Sequence, residues 1–243
     1  MKHFFANWKM YLTHEQAIDL ANFYTKLDLS PNLNVVVFPS TLSFLPVKDL
    51  LVNSAVKVGA QNVSWVSAGA YTGAVSATLF SEGGAQYALV GHAERRHIFG
   101  ESDADVAKKL RAVVEAGITP ILCVGETAED LAADKRQYRL SKQLMVLSEI
   151  AHQIENCFIA YEPVWSIGSS QPCLSRDVLD VHNFIRQETK KYFSAVLPIV
   201  YGGSVNKDNA KDYANLDLVD GLLIGHASTN PEQVSALTSI LAS

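Results

Sequence analysis

The stretch "AYEPVWSIGSSQPC", Ala160–Cys173, decides the reading of the chain. An apolar approach, "CFI" at 157–159, carries into Tyr161 and Glu162, and Pro163 stops the run at once. Val164, Trp165 and Ile167 follow, and Gly168, Ser169 and Ser170 give the far end of the loop pliant backbone. Large apolar side chains avoid water, so a loop built this way implies a site to close over. A carboxylate beside apolar walls is partly stripped of water, which favours its taking up a proton. Glu162 is therefore the candidate general base, and the loop after it a candidate lid that excludes water. A strand-end glutamate paired with a nearby Lys or Arg is the structural alternative.

Working outward, the run around Glu162 is one of eight. Strands are expected in "HFFANWK" (3–9), "NVVVFP" (34–39), "VKVGAQN" (56–62), "YALVGH" (87–92), "TPILCVG" (119–125), "FIAYEP" (158–163), "PIVYGGS" (198–204) and "GLLIGHAS" (221–228). They are too continuously apolar for one-sided antiparallel strands, and they look buried on both faces. Between them lie helix-like segments. In "SDADVAKKLRAVVEAG", Ser102 is the expected N-cap and Gly117 the terminator. "TAEDLAADKRQYRLSKQLMVLSEI" reads as one long helix capped by Thr127. No Pro/Gly/Ser linker divides the chain, so residues 1–243 are expected to form one domain. Eight strands alternating with helices in 243 residues predict a single (β/α)8 barrel. An open doubly wound sheet is the rival, but the first strand ends in "ANWKM" and not in a Gly-rich dinucleotide turn.

The composition limits the partners. The chain is 48% hydrophobic, carries a formal charge of -5 and has no long basic run, which argues against nucleic acid or an anionic membrane. No apolar run approaches the ~20 residues of a membrane span, and the N-terminal apolar stretch is too short for a signal peptide. Cys123, Cys157 and Cys173 have neither disulfide density nor metal spacing. A soluble, cytoplasmic protein is expected, and the histidines show no metal-ligand pairing.

Polar residues gather where the strands end. Asn7 and Lys9 are two apart, so strand periodicity puts both on one face with Trp8 on the other. An inward lysine is costly unless it meets an anion, although a lysine can also snorkel to the rim. His92 precedes "AERRHIF", which can start a helix; the positive end of a helix dipole disfavours imidazolium and leaves a neutral hydrogen-bond donor. A structural hydrogen-bonding histidine is the alternative there. Glu94, Arg95 and Arg96 read as a salt-bridged cluster supporting the mouth. "YGGSVN" (201–206) and "IGHAST" (224–229) offer small residues and free N–H groups after the last two strands, the chemistry of an anion pocket in a barrel.

Taken together, "ANWKM", "GAQN", "GAYTG", "VGHAERR", "CVGE", "AYEPVWSIG", "YGGSV" and "DGLLIGHAS" resemble the triosephosphate isomerase family, in order and spacing, from Asn7 to Ser228. The resemblance implies interconversion of dihydroxyacetone phosphate and glyceraldehyde 3-phosphate through an enediolate, with no metal or organic cofactor. It implies Glu162 as the base and His92 as the neutral electrophile and proton shuttle; that pair of roles is a standard worked case of acid–base tuning. Lys9 would stabilise the oxyanion and phosphate, Asn7 would orient substrate oxygen, and the phosphate would rest on N–H groups of Gly168, Ser204, Gly225 and His226. The resemblance also implies a homodimer in which Thr72 of "GAYTG" supports Asn7 and Lys9 of the partner subunit.

The chain departs from the family pattern at four places. Ala93 replaces a serine hydroxyl that can hold the base, and Ala74 replaces a carboxylate expected to partner the arginines. Ser170 stands where the family's lid has glycine, and His226 replaces the second glycine of the last loop. His226 is expected either to edge the phosphate pocket, tightening binding when protonated, or to turn to solvent. Two rival functions are another phosphosugar barrel isomerase or epimerase, and an inactive dimeric scaffold. "YEPVW" beside "GHAERR" argues against the first, and the presence of Lys9, His92 and Glu162 against the second.

Overall fold

The computed structural model describes residues 1–153, 157–168 and 172–243. Eight parallel strands close into a barrel in sequence order: β1 (Lys2–Asn7), β2 (Leu33–Phe38), β3 (Lys57–Ala60), β4 (Tyr87–Val90), β5 (Thr119–Val124), β6 (Phe158–Tyr161), β7 (Ile199–Tyr201) and β8 (Gly221–Ile224). The ring closes where β1 pairs with β8, Phe5 opposite Leu223 and Ala6 opposite Ile224. All eight expected strands are present, and apart from β1, which includes Asn7, they stop short of the candidate site residues, most of which stand on loops.

Two-residue alternation divides the apolar residues into two cores. Phe5, Val36, Phe38, Leu89, Ile121, Cys123, Phe158, Ala160, Val200 and Leu223 fill the barrel interior. Their neighbours, such as Phe4, Val35, Val37, Leu122, Ile159 and Leu222, pack outward against the helices. The inward row of β6 runs Phe158, Ala160 and then Glu162, and that of β1 runs Phe5 and then Asn7. The barrel's own pleat therefore aims both polar groups at its C-terminal mouth.

Lys9 does not extend this inward row. Strand β1 ends at Asn7, Trp8 is buried in the outer core, and Lys9 takes a left-handed φ of 48°. Strand periodicity is thus not what places Lys9; a turn does.

The helices are α1 (His14–Tyr24), α2 (Phe44–Leu51), α3 (Ala77–Glu82), α4 (Ala93–His97), α5 (Asp103–Glu115), α6 (Ala128–Ala132), α7 (Arg136–Leu144), α8 (Ser175–Thr189), α9 (Ala210–Ala214) and α10 (Pro231–Ala242). Helix α5 begins as expected: Ser102 accepts from the Asp105 N–H, and Asp105 answers with a bond to the Ser102 N–H. The segment after Thr127 is not one helix. It breaks between α6 and α7, where Asp134 has φ 54°, and α7 gives way to a 3-10 turn over Met145–Glu149. A short polar side chain tolerates the left-handed conformation better than most, so an aspartate can end a helix without a glycine.

All three cysteines are buried and free. Among the described residues, no helix is long and apolar enough to cross a membrane.

Candidate active site

A cleft of about 1170 Å3 opens at the C-terminal mouth, and Asn7, Lys9, Gln61, His92 and Glu94 line it. Asn7 is almost fully buried, and its Oδ1 accepts the Lys9 N–H at 3.1 Å. Gln61 Nε2 donates to the carbonyls of Lys9 (2.9 Å) and Phe38 (2.8 Å), so the left-handed turn at Lys9 is held on both sides. Lys9 Nζ reaches Glu94 Oε1 at 2.7 Å. The anion expected beside the inward lysine is thus supplied by the protein itself.

His92 owes its direction to Gly91. Val90 belongs to the outer core, and a φ of 71° at Gly91 turns the chain before His92 caps α4. No other residue fits there easily: a Cβ on Gly91 would lie 2.8 Å from Arg96 Nη2. The Nδ1 of His92 accepts the Glu94 N–H at 3.2 Å. With Nδ1 an acceptor, the proton sits on Nε2, which stands 3.1 Å from Glu162 Oε1. This bonding leaves Nε2 as the ring's donor, aimed at the carboxylate.

Glu162 is only 2% exposed. Its Oε2 accepts the Ala93 N–H at 2.9 Å, so a main-chain amide holds the carboxylate although no side-chain hydroxyl is present at residue 93. Glu162 lines a small pocket with Gly91, Ala93, Arg96 and Cys123, beside the large cleft rather than in it. Burial, and after it the Glu162 charge, pushes the Cys123 thiol well above its usual range.

The arginines do not lack carboxylates. Arg95 Nε bonds Glu101 at 2.6 Å, and Arg96 Nη1 bonds Asp103 at 2.6 Å. The cluster expected among Glu94, Arg95 and Arg96 therefore does not pair internally: Glu94 goes to Lys9, and both arginines go to acids before or in α5. Ala74 leaves neither arginine without an acidic partner.

One further buried acid, Glu126, is assigned no role by any motif considered above. Glu126 is fully buried, and its Oε1 accepts from Trp165 Nε1 (2.9 Å), Tyr161 Oη (3.1 Å) and Arg136 Nε (3.1 Å). Tyr161 and Trp165 thus tie the start of the loop after β6 to the end of β5, consistent with packing at a hinge. Burial, then the Glu126 charge, drives the Tyr161 hydroxyl well above the ordinary phenol range. A signal was present in "CVGE", an acid directly after a buried strand.

None of the residues expected to form an anion pocket, Gly168, Ser204, Gly225 and His226, is among those lining the large cleft. Ser204 Oγ donates to the Ser166 carbonyl at 2.8 Å, joining the loops after β7 and β6. Gly225 lies against Lys9, since a Cβ there would be 3.2 Å from Lys9 Cε. Gly168 is exposed with φ 68°, while Ser169 and Ser170 lie outside the described residues. His226 is exposed, is not among the residues lining the cleft, and sets its ring edge-on to Tyr11 at 5.2 Å. Thr72 is exposed, in a segment whose Tyr71, Gly73, Ala74 and Val75 line the outer part of the cleft.

A closed parallel barrel with acid–base groups gathered where its strands end is the plan of a (β/α)8 enzyme, whose chemistry sits on that face. Residues 2–241 match the family described as triosephosphate isomerase. The chain is 38% identical over 237 residues to a triosephosphate isomerase of Aquifex aeolicus, covering 96% of each chain. It is 39% identical over 236 residues to one of Chlamydia felis, covering 94% of this chain and 93% of that one. A third, from Colwellia psychrerythraea, is 39% identical over 244 residues and covers 96% and 95%. The chain belongs to the triosephosphate isomerase family, aldose–ketose isomerases acting on triose phosphates.

Proposed function

We propose that residues 1–243 act as one domain that interconverts dihydroxyacetone phosphate and D-glyceraldehyde 3-phosphate through an enediolate, with Glu162 as base and His92 as electrophile. The observation that carries the reading is the two-sided bonding of His92, Nδ1 accepting from Glu94 and Nε2 donating toward Glu162. A neutral imidazole so fixed polarises a substrate carbonyl without first losing a proton, and it can pass that proton between the two substrate oxygens. Glu162 leaves the Ala93 amide to move a proton between the two carbons. Lys9 exchanges Glu94 for the substrate's negative oxygen and phosphate, and Asn7 orients the substrate. Main-chain N–H groups of Gly168, Ser204, Gly225 and His226 hold the phosphate. Closure of the Trp165 loop keeps water out, since an exposed enediolate phosphate eliminates its phosphate instead of taking back a proton.

The working form is a cytoplasmic homodimer, with Thr72 of each copy supporting Asn7 and Lys9 of the other; nucleic acid and membrane are not partners. Exposed Met10, Trp65, Tyr71, Ile98 and Phe99 all line the cleft, an apolar rim that supports pairing. The test is a coupled assay in both directions with each triose phosphate and with larger sugar phosphates as controls, beside sedimentation at assay concentration. Turnover of the trioses alone by a dimer is expected. Turnover of a larger sugar phosphate in their place, or a fully active monomer, overturns the corresponding part of the reading.

A further inference from the structure

The loops after β1 and β8 touch at the rim through a pair of side chains that the chemistry above does not use. The rings of Tyr11 and His226 stand 5.2 Å apart at 85°, an edge-to-face contact between two exposed residues. On the β8 side, Ser228 Oγ donates to the Gly225 carbonyl at 2.7 Å, and Tyr24 Oη donates to the Ser228 carbonyl at 3.0 Å. These bonds anchor the turn from within, at its two ends. On the β1 side, the Tyr11 N–H bonds the Trp8 carbonyl at 3.3 Å across the left-handed turn at Lys9. Gly225 also abuts Lys9. The two turns are therefore joined twice, through Lys9 against Gly225 and through Tyr11 against His226.

We propose that Tyr11 and His226 form a rim clamp that fixes the distance between the Lys9 ammonium and the main-chain N–H groups at Gly225 and His226, and so sets the affinity for the substrate phosphate. This rests on the phosphate site proposed above. Tyr11 and the His226 ring are positioning groups: they touch neither Glu162 nor the proton donor of His92. A phosphate spans both turns, so loosening their spacing weakens ground state and transition state alike. Lost uniform binding appears in KM and leaves kcat in place.

The experiment compares wild type, Tyr11→Ala, Tyr11→Phe, His226→Ala and the Tyr11→Ala/His226→Ala double variant. Two readouts are taken: steady-state isomerisation, and calorimetric titration with inorganic phosphate. An edge-to-face pair is worth about two- to tenfold in an equilibrium constant. Tyr11→Ala should raise KM and the phosphate Kd by that factor, with kcat within twofold and Tm lower by no more than about 1–6 °C, the loss of the ring pair alone. Tyr11→Phe, which keeps the ring, should bind like wild type, and the double variant should be no worse than the weaker single one. Unchanged KM and Kd in Tyr11→Ala, a Tyr11→Phe as weak as Tyr11→Ala, or fully additive single effects would each overturn the clamp. If wild type binds phosphate with this pattern but turns over no triose phosphate, the clamp stands and the proposed reaction falls.

Discussion

Replacing Glu162 by glutamine tests the base and its setting together. The wild-type carboxylate meets two donors, the Ala93 N–H on Oε2 and His92 Nε2 on Oε1. A glutamine of the same shape offers one oxygen and one NH2, so one of the two donors must face another donor. The imidazole cannot relieve the clash by moving its proton to Nδ1, because that nitrogen already accepts from Glu94. A buried donor left without an acceptor costs about 1–3 kcal/mol. In a chain of this length each kcal/mol moves Tm by about 2–4 °C, so Glu162→Gln should melt about 2–12 °C lower. Loss of the base should lower kcat by at least ~10²–10⁴-fold, or about 3–5 kcal/mol in the barrier. The assays are steady-state isomerisation and calorimetric melting on the same preparation. A variant that keeps wild-type kcat removes Glu162 as the base. One that loses activity but melts at or above the wild-type temperature refutes the two-donor account of its setting.

Further outcomes follow from neighbouring residues. Gly125→Ala puts a Cβ 1.8 Å from the Glu162 carbonyl, so the variant should misplace Glu162 and lose both solubility and activity, read by expression level and kcat. Trp165→Phe removes one donor from Glu126 at the start of the loop after β6 and should lower kcat/KM about tenfold with a small change in Tm, measured on the isomerase reaction. His182 is wholly buried, and burial holds its imidazole down to about 4. Its folded value lies below the unfolded one, so its stabilisation is full above about pH 6.5 and disappears as pH falls toward 4. Wild type should therefore lose roughly 3 kcal/mol from this group across that window. Denaturant midpoints of His182→Phe should fall less steeply over the same range; parallel curves would exclude His182.

The fold could be read from sequence because parallel strands buried on both faces leave unbroken apolar runs, and helix ends carry local signals such as Ser102 and Gly117. Glu162 and Asn7 were legible for the same reason, since each extends the inward row of its strand. Lys9 is set at the mouth by nothing in the strand pattern: its turn is held by Asn7 and by Gln61, just past the end of β3. The break at Asp134 carries no glycine or proline to announce it. Glu126 gathers donors 10 to 39 residues away, and Tyr11 meets His226 across the ring closure. Such contacts exist only once the barrel has closed, so no local pattern records them.

The three sealed thiols give the folded chain a built-in clock. Cys123 lies in the barrel interior beside Glu162, Cys157 leads into β6, and Cys173 follows the loop after β6. Burial raises Cys157 and Cys173 to about 12 and Cys123 well above its usual range, so an alkylating reagent finds almost no thiolate while the structure stays shut. The rate at which each sulfur becomes labelled then times the opening of its own part of the molecule. Comparing Cys173 with Cys123 separates breathing around the loop after β6 from rupture of the barrel itself, without adding any probe to the protein.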